Sequence, residues 1–422
     1  MANGNNLRVL IISHNPMNLS ENNGRTLRNL FSEMKAESIS HLFFHGGEID
    51  APFCNSFYRI TDFEIRDSLL RFRKPGKVLF PNDYDSNQEK ENKEYVKYCE
   101  KPPFMRFLRD FAWGFGTWKT RKLKEWLKEI SPNVIFFYGS DSAFCQRIAN
   151  WVSNYLKIPM LIYWVDDCYL KLKKQKGFIT KLNNHRFMRI SKKNILKSKN
   201  LCITPAMAKA YENEFGNRFE VLFNSSFLEP FAKRAIEKPL KMSYLGNIGL
   251  GRCESLLKIG SIIDEHKLPI VFSVYSNEKR ENLLAKIKSG KGLTFCGGLS
   301  YDEVLKVMND SDVLIHVEDF SSENVEYCRY SLSTKIADSL ASNRCLLCYG
   351  PSEIASIDYL AESAGALVAS DESELCSVLL KICEDTSVIY TTAERGLELF
   401  KNNHSSKTIS DKLFKHLNKL IR

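Results

Sequence analysis

Two kinds of apolar spacing alternate along this chain. Short runs such as Leu7–Ser13, Ile39–Phe44, Val134–Gly139, Met160–Val165 and Leu201–Thr204 are mostly apolar, which predicts buried strands. Between them, apolar residues recur at helical spacing and predict helices over Arg25–Lys35, Ala143–Leu156 and Ala206–Phe215. The pattern restarts at Lys241–Leu245. Strands are then expected near Ile270–Val274, Leu293–Cys296, Val313–Val317, Cys345–Tyr349 and Ala366–Val368. The tail from Val388 is helical in spacing, with Leu397, Phe400, Leu413, Phe414, Leu417 and Leu420 on its apolar positions. Residues 66–100 are polar and broken by Pro75, Pro81 and Asn82-Asp83, an excursion from the sheet.

Strands alternating with helices predict parallel α/β sheets, and the restart predicts two of them. The expected organisation is a Rossmann-like domain over residues 1–223, a linker over 224–240 and a second Rossmann-like domain over 241–395. A helical tail, 396–422, is expected to return to the first domain. Two doubly wound domains of this kind face each other across a cleft, with ligands at the carboxyl ends of the strands.

Two loop-to-helix junctions in the second half are suited to phosphate. Tyr244-Leu-Gly-Asn-Ile-Gly-Leu-Gly-Arg-Cys253 follows a strand and opens a helix; Tyr330-Ser-Leu-Ser-Thr-Lys-Ile-Ala-Asp338 opens another. Gly246, Gly249 and Gly251 let the backbone approach an anion, with Asn247 between them, and helix N-termini carry partial positive charge. Arg252 and Lys335 add full charges beside Ser333 and Thr334. Asp338, one turn on, supplies an acceptor for vicinal hydroxyls. The set suits a nucleoside diphosphate. The bland alternative is a tight strand–helix turn with a solvated lysine and aspartate.

Composition narrows the class. At 422 residues, 44% hydrophobic and 26% charged, the chain is ordinary for a soluble globular protein. No basic segment followed by an apolar run opens it, and its apolar runs have strand length, so a cytoplasmic location is expected. Of the 12 cysteines, Cys145, Cys202, Cys296 and Cys383 fall inside apolar elements. Cys345 and Cys348 sit three apart on a strand, facing opposite ways. No disulfide and no metal site is expected. The net charge of +10 is uneven: Lys171 to Lys199 holds eleven Lys or Arg and no Asp or Glu. The segment Lys101-Pro-Pro-Phe-Met-Arg-Phe-Leu-Arg-Asp-Phe-Ala-Trp-Gly-Phe-Gly-Thr-Trp118 mixes aromatics with Arg. Together they fit an anionic membrane surface, or a solvated helix face and a buried amphipathic helix. No nucleic-acid motif accompanies the charge, and no nucleic acid is expected as a partner.

The chain resembles the GT-B-fold glycosyltransferases, close to the retaining family 4 with its family-1-like C-terminal domain. The resemblance rests on Lys241 to Pro351, on Asn22-Asn-Gly-Arg-Thr26, on Tyr163-Trp-Val-Asp-Asp167 and on Ile203-Thr-Pro-Ala-Met-Ala-Lys-Ala-Tyr211 leading to Val221-Leu-Phe-Asn224. It implies a nucleotide sugar in the C-domain and an acceptor, a glycan or lipid-linked sugar, in the N-domain near His14, Asn23, Gly24 and Arg25. It implies that Arg252 binds the diphosphate, that Lys335 is a second phosphate contact and that Asp338 stands at the ribose. The family's Glu eight residues earlier is here Tyr330. The nucleotide sugar is a co-substrate, and no cofactor is implied. Arg252 and Lys335 would stabilise the leaving group without a metal. A retaining reaction needs no strong base; an inverting one would call on Asp166, Asp167 or His14. The expected setting is cell-surface polysaccharide assembly at the inner face of the membrane. A sugar-nucleotide epimerase and a non-catalytic nucleotide- or glycan-binding protein of the same fold are the competing readings. A dehydrogenase is disfavoured, because Gly246, Gly249 and Gly251 lack the Gly-x-Gly-x-x-Gly order.

Overall fold

The computed structural model describes residues 6–18, 22–80, 103–175 and 177–422. It forms two compact units, Met1–Phe223 with Ile409–Arg422, and Asn224–Thr408. The expected excursion lies outside the described residues from 81 onward, as do 19–21 of the loop after the first strand.

Unit 1 is built on β1 (Arg8–Ser13), β2 (Ser38–Phe43), β3 (Ser56–Arg59), β4 (Lys77–Leu79), β5 (Val134–Tyr138), β6 (Met160–Trp164), β7 (Lys199–Cys202) and β8 (Phe219–Val221). Their order is β4-β3-β2-β1-β5-β6-β7-β8, and all pairs are parallel except β3–β4. Every residue of β5 and β6 is buried, as strands covered on both faces require. Helix Ala143–Leu156 falls where the periodicity puts it. Helix Pro205–Phe215 starts at Pro205 because Thr204 caps it, its hydroxyl accepting from the Met207 amide at 3.2 Å. Its end is set by Gly216 at φ 71°.

Unit 2 holds β9 (Leu240–Leu245), β10 (Ile270–Tyr275), β11 (Thr294–Gly297), β12 (Val313–Val317), β13 (Cys345–Tyr349) and β14 (Leu367–Ala369). They are all parallel, in the order β11-β10-β9-β12-β13-β14. Strand order reverses between β9 and β12, so their loops open the crevice where such sheets take ligands. The stretch read as a linker is laced along this unit. Ser226 donates to Asp338, Arg234 pairs with Asp312 at 2.6 Å, and Lys233 pairs with Glu394. The expected helical tail divides into Ser387–Asn403 and Ser406–Asn418, and 409–422 belongs to unit 1.

Three strands escaped the periodicity: β3, β4 and β8 have only three or four residues each, too short to show it. Cys296, expected inside an apolar element, is exposed, because β11 is an edge strand with one open face. The other expected buried cysteines, Cys145, Cys202 and Cys383, are buried. No helix among the described residues is long and apolar enough to cross a membrane.

Candidate active site

The first junction follows β9. The chain turns through Gly246–Gly251 and enters helix Arg252–Glu265. Leu250 and Gly251 both take positive φ, 54° and 73°. At Gly251 the glycine is needed twice over. Beyond its φ, a Cβ there would stand 2.1 Å from Asp319 Cγ. The turn is tightened by the Tyr244 hydroxyl donating to the Asn247 carbonyl at 2.6 Å and by the Asn247 side chain accepting from the Gly249 amide at 2.5 Å.

The second junction opens helix Thr334–Ala341, with Ser333 at its cap. It lies across the sheet from the first in sequence, yet the two meet. A Cβ on Gly246 would lie 2.7 Å from Lys335 Nζ and 2.8 Å from the Tyr244 hydroxyl. The bare backbone of Gly246 is therefore the seat of the Lys335 ammonium. Asp338 is held by the Ser226 hydroxyl, and the Ser333 carbonyl accepts from Asn224 Nδ2 at 3.3 Å.

Arg252 does not stand alone. Its Nε donates to Glu318 Oε2 at 3.1 Å and its Nη2 to both Glu318 oxygens at 2.9 and 3.2 Å. Glu318 is the first residue after β12, only 4% exposed. Burial raises its pKa above the usual carboxylate range, against the pull of Arg252. Burial works against the charge of Arg252 too, and Glu318 more than restores it. His316, buried on β12, has its pKa lowered to about 3 by burial and by Arg252 and Lys335, so it is neutral at physiological pH. Its Nε2 lies 3.3 Å from Ser356 Oγ.

Two further groups frame the loop. A Cβ on Gly249 would stand 2.3 Å from Arg280 Nη2, so a third cation lies against the turn. Glu278 holds that guanidinium through Nε at 2.9 Å and Nη2 at 2.7 Å, and the bond from Arg280 lowers the Glu278 pKa to about 2. Asp319 accepts from Asn324 Nδ2 at 2.7 Å and from the Ser321 amide and hydroxyl. Its own burial is outweighed by these bonds, and its pKa is lowered.

One part of the sequence reading is corrected. The amides of Arg252, Cys253 and Glu254 bond back to Gly249, Ile248 and Gly251 carbonyls at 3.3, 3.0 and 2.9 Å. The first turn of this helix thus closes on its own loop. The cations at this junction are therefore the side chains of Arg252, Lys335 and Arg280, with the helix dipole behind Arg252.

The unit 1 residues fall at the carboxyl ends of its strands. His14 follows β1, and its Nε2 lies 2.8 Å from Arg109 Nη2. A guanidinium only donates, so Nε2 is the acceptor and Nδ1–H faces Asn15 Oδ1 at 3.1 Å. Burial, Arg109 and His45 push its pKa down to about 3. With its lone pair engaged, His14 is not poised as a general base, and that expectation is withdrawn. Arg109 also donates to both Asp62 oxygens at 2.9 and 3.0 Å and lies 4.9 Å over the Phe144 ring. Trp113 fixes Asp62 from the other side at 2.7 Å and stacks on Phe144 at 4.2 Å. Arg106 pairs with Asp141 at 2.8 Å, on the loop after β5.

Asp167 is a cap. It accepts from the Tyr169, Leu170 and Lys171 amides at 3.0, 2.8 and 2.9 Å and from the Tyr211 hydroxyl at 3.0 Å. Three of these donors share Oδ1 and one reaches Oδ2, so the carboxylate is fixed in place as a capping group. Asp166 is exposed beside it. Asn23 is exposed, and Arg25 half-buried. Gly24 packs so tightly that a Cβ would stand 2.5 Å from Asn18 Oδ1 and 2.8 Å from the Pro16 carbonyl. Among the described residues no group of three or more His, Cys, Asp or Glu could hold a metal ion.

The sequence reading missed Glu318 and Arg280 in unit 2, and Asp62, Arg109 and Asp141 in unit 1. Glu318 was findable: the residue just past a central strand lies in the ligand crevice by topology alone. Nothing in the sequence pointed to Arg280.

No protein-family model matches the chain, and no curated protein matches it. Solved structures do. Anabaena HepE in complex with UDP superposes with TM-score 0.61 at 8% identity, over 98% of this chain and 100% of that one. Sucrose-phosphate synthase from Thermosynechococcus elongatus gives 0.62 at 11% identity, over 98% and 99%. WaaG, a glycosyltransferase involved in lipopolysaccharide biosynthesis, gives 0.56 at 14%, over 97% and 99%. The chain has the GT-B fold, the fold of these glycosyltransferases.

Proposed function

We propose that this protein is a metal-independent, retaining glycosyltransferase that moves a hexose from a nucleoside-diphosphate sugar to a glycan or lipid-linked acceptor. The setting would be cell-surface polysaccharide assembly, with the chain peripheral at the inner face of the membrane. The observation that carries the reading is the meeting of Lys335 with the bare backbone of Gly246, beside Arg252, at the strand-order reversal of unit 2. Fixed cations at that point suit a leaving diphosphate. As the donor's glycosidic C–O bond breaks, its electron pair goes to a β-phosphate oxygen, and Arg252 and Lys335 would stabilise that charge. The acceptor hydroxyl forms the new bond and passes its proton to the departing phosphate. No strong side-chain base is asked for, in keeping with the engaged lone pair of His14.

HepE was crystallised with UDP, which makes uridine the base to try first. The test is release of UDP from UDP-hexoses, followed in the presence and absence of glycan acceptors. Turnover abolished in Arg252→Ala supports the reading. Tight UDP binding without turnover on any donor would favour a non-catalytic binder, a reading that Tyr330 in place of the family Glu keeps in view.

A further inference from the structure

Helix Pro103–Gly114 is amphipathic in an unusual sense. Its inner face buries Asp110 and Trp113, while its outer face presents Phe104 at 49%, Leu108 at 40% and Phe111 at 47% exposure, with Phe115 just beyond at 61%. The spacing 104, 108, 111, 115 is one stripe along the helix. Phe111 and Phe115 meet edge to face at 5.0 Å, and Phe107 stacks on Phe111 at 6.2 Å. Helix Phe178–Lys197 packs directly against this one. There, Phe178 is 84% exposed and Leu182 41%, and Arg186 continues their line one turn on. Arg186 lies 4.9 Å over the Phe107 ring, so the two apolar stripes join at that contact.

An outward stripe of aromatic rings is costly in water and marks a surface that something covers. The surrounding charge says what. The second helix exposes Lys181, Arg186, Arg189, Lys192, Lys193 and Lys197, and no carboxylate interrupts the chain from Lys171 to Lys199. Rings flanked by the cations of the second helix match a bilayer face, where the rings enter the acyl boundary and the ammonium and guanidinium groups meet phosphate. The carboxylate paired with the first helix at its surface, Asp141, is neutralised by Arg106.

We propose that the outer faces of helices Pro103–Gly114 and Phe178–Lys197 form the surface by which the chain lies on an anionic lipid bilayer. This deepens the peripheral location read above, and the surface itself does not depend on the donor chemistry. The two can fail separately.

The experiment is co-sedimentation of the full chain with vesicles of phosphatidylcholine alone and of phosphatidylcholine with phosphatidylglycerol. The expected result is binding to the anionic vesicles, weakened by salt, with phosphatidylcholine alone bound at least roughly tenfold less well. Phe111→Ser with Phe115→Ser should lower the anionic binding by at least about tenfold. Phe178→Ser serves if that pair fails to fold, since its ring touches little. Unchanged thermal unfolding and an unchanged UDP-induced shift in the variants would isolate the surface from the donor site. No binding to anionic vesicles, or equal binding by the variants, overturns the proposal. So does a wild-type dimer that the ring substitutions convert to monomer, which would make a second copy the occupant.

Discussion

Replacing Arg252 by alanine is the most informative perturbation, because it should damage folding and binding through separate routes. The side chains of Arg252 and Glu318 are 19% and 5% exposed, and three hydrogen bonds join them. Removing one partner of a buried pair costs about 3–5 kcal/mol, since the other is left as an uncompensated charge. For a unit of this size that is roughly 6–20 °C of melting temperature. Glu318 has an escape: it can take up a proton. Its pKa, raised already in the wild type, rises further without Arg252. A carboxyl whose folded pKa is raised lends stability below its unfolded pKa and loses it as pH rises through the folded value. Arg252→Ala should therefore melt close to wild type near pH 5 and far below it at pH 8. Adding Glu318→Gln should recover most of the loss at pH 8. The double variant then makes the binding test clean. UDP at a hundred times its dissociation constant stabilises by about 2.7 kcal/mol, a shift of roughly 5–11 °C. Losing the charge-assisted bonds of one guanidinium costs about 1.5–3 kcal/mol, so affinity should fall roughly ten- to hundredfold. Differential scanning fluorimetry at both pH values reads all of this. An Arg252→Ala protein as stable as wild type at pH 8 would refute the structural role of the pair. A full UDP shift in the double variant would refute the phosphate role of Arg252.

Other outcomes follow from the same geometry. UDP affinity should strengthen as pH falls through the raised Glu318 pKa, because the neutral acid releases Arg252 to the diphosphate; calorimetric titration of Glu318→Gln should show tight binding with that pH dependence gone. Gly251→Ala should weaken UDP binding and cost about 1–3 kcal/mol of stability, since a Cβ collides with Asp319 at a φ of 73°. Lys335→Met should leave the melting temperature within a degree or so and raise the UDP dissociation constant about tenfold or more, Lys335 being exposed at its helix start. Asp167→Asn should lower stability by about 1 kcal/mol and spare kcat once folded, whereas a large loss of kcat with unchanged stability would assign Asp167 a catalytic role instead of a capping one.

What the sequence disclosed and what it withheld divide along a physical line. Strands β5, β12 and β13 were legible because both faces are buried, so nearly every position is apolar, His316 excepted, and the run marks its own ends. The Gly246–Arg252 and Ser333–Asp338 junctions were legible for a related reason: glycine and cations at a strand–helix turn break the local pattern. Partnerships across the fold left no such trace. Nothing near Arg252 announces a carboxylate 66 residues later, nor does the glycine at 246 announce the ammonium of Lys335. Those pairings are set by which strands lie side by side, and β9 beside β12 is a product of topology rather than spacing. Asp167 and His14 make the same point in reverse. Each stands alone in one dimension, and each is held by a distant partner in three, Asp167 by Tyr211 and His14 by Arg109. A polar residue at a strand end is thus a candidate only until its donors are counted. Glu318 passes a stricter test than either. Three hydrogen bonds tie it to Arg252, the group that a diphosphate would claim, so the carboxylate holds the guanidinium in place before a ligand arrives and would yield it on binding.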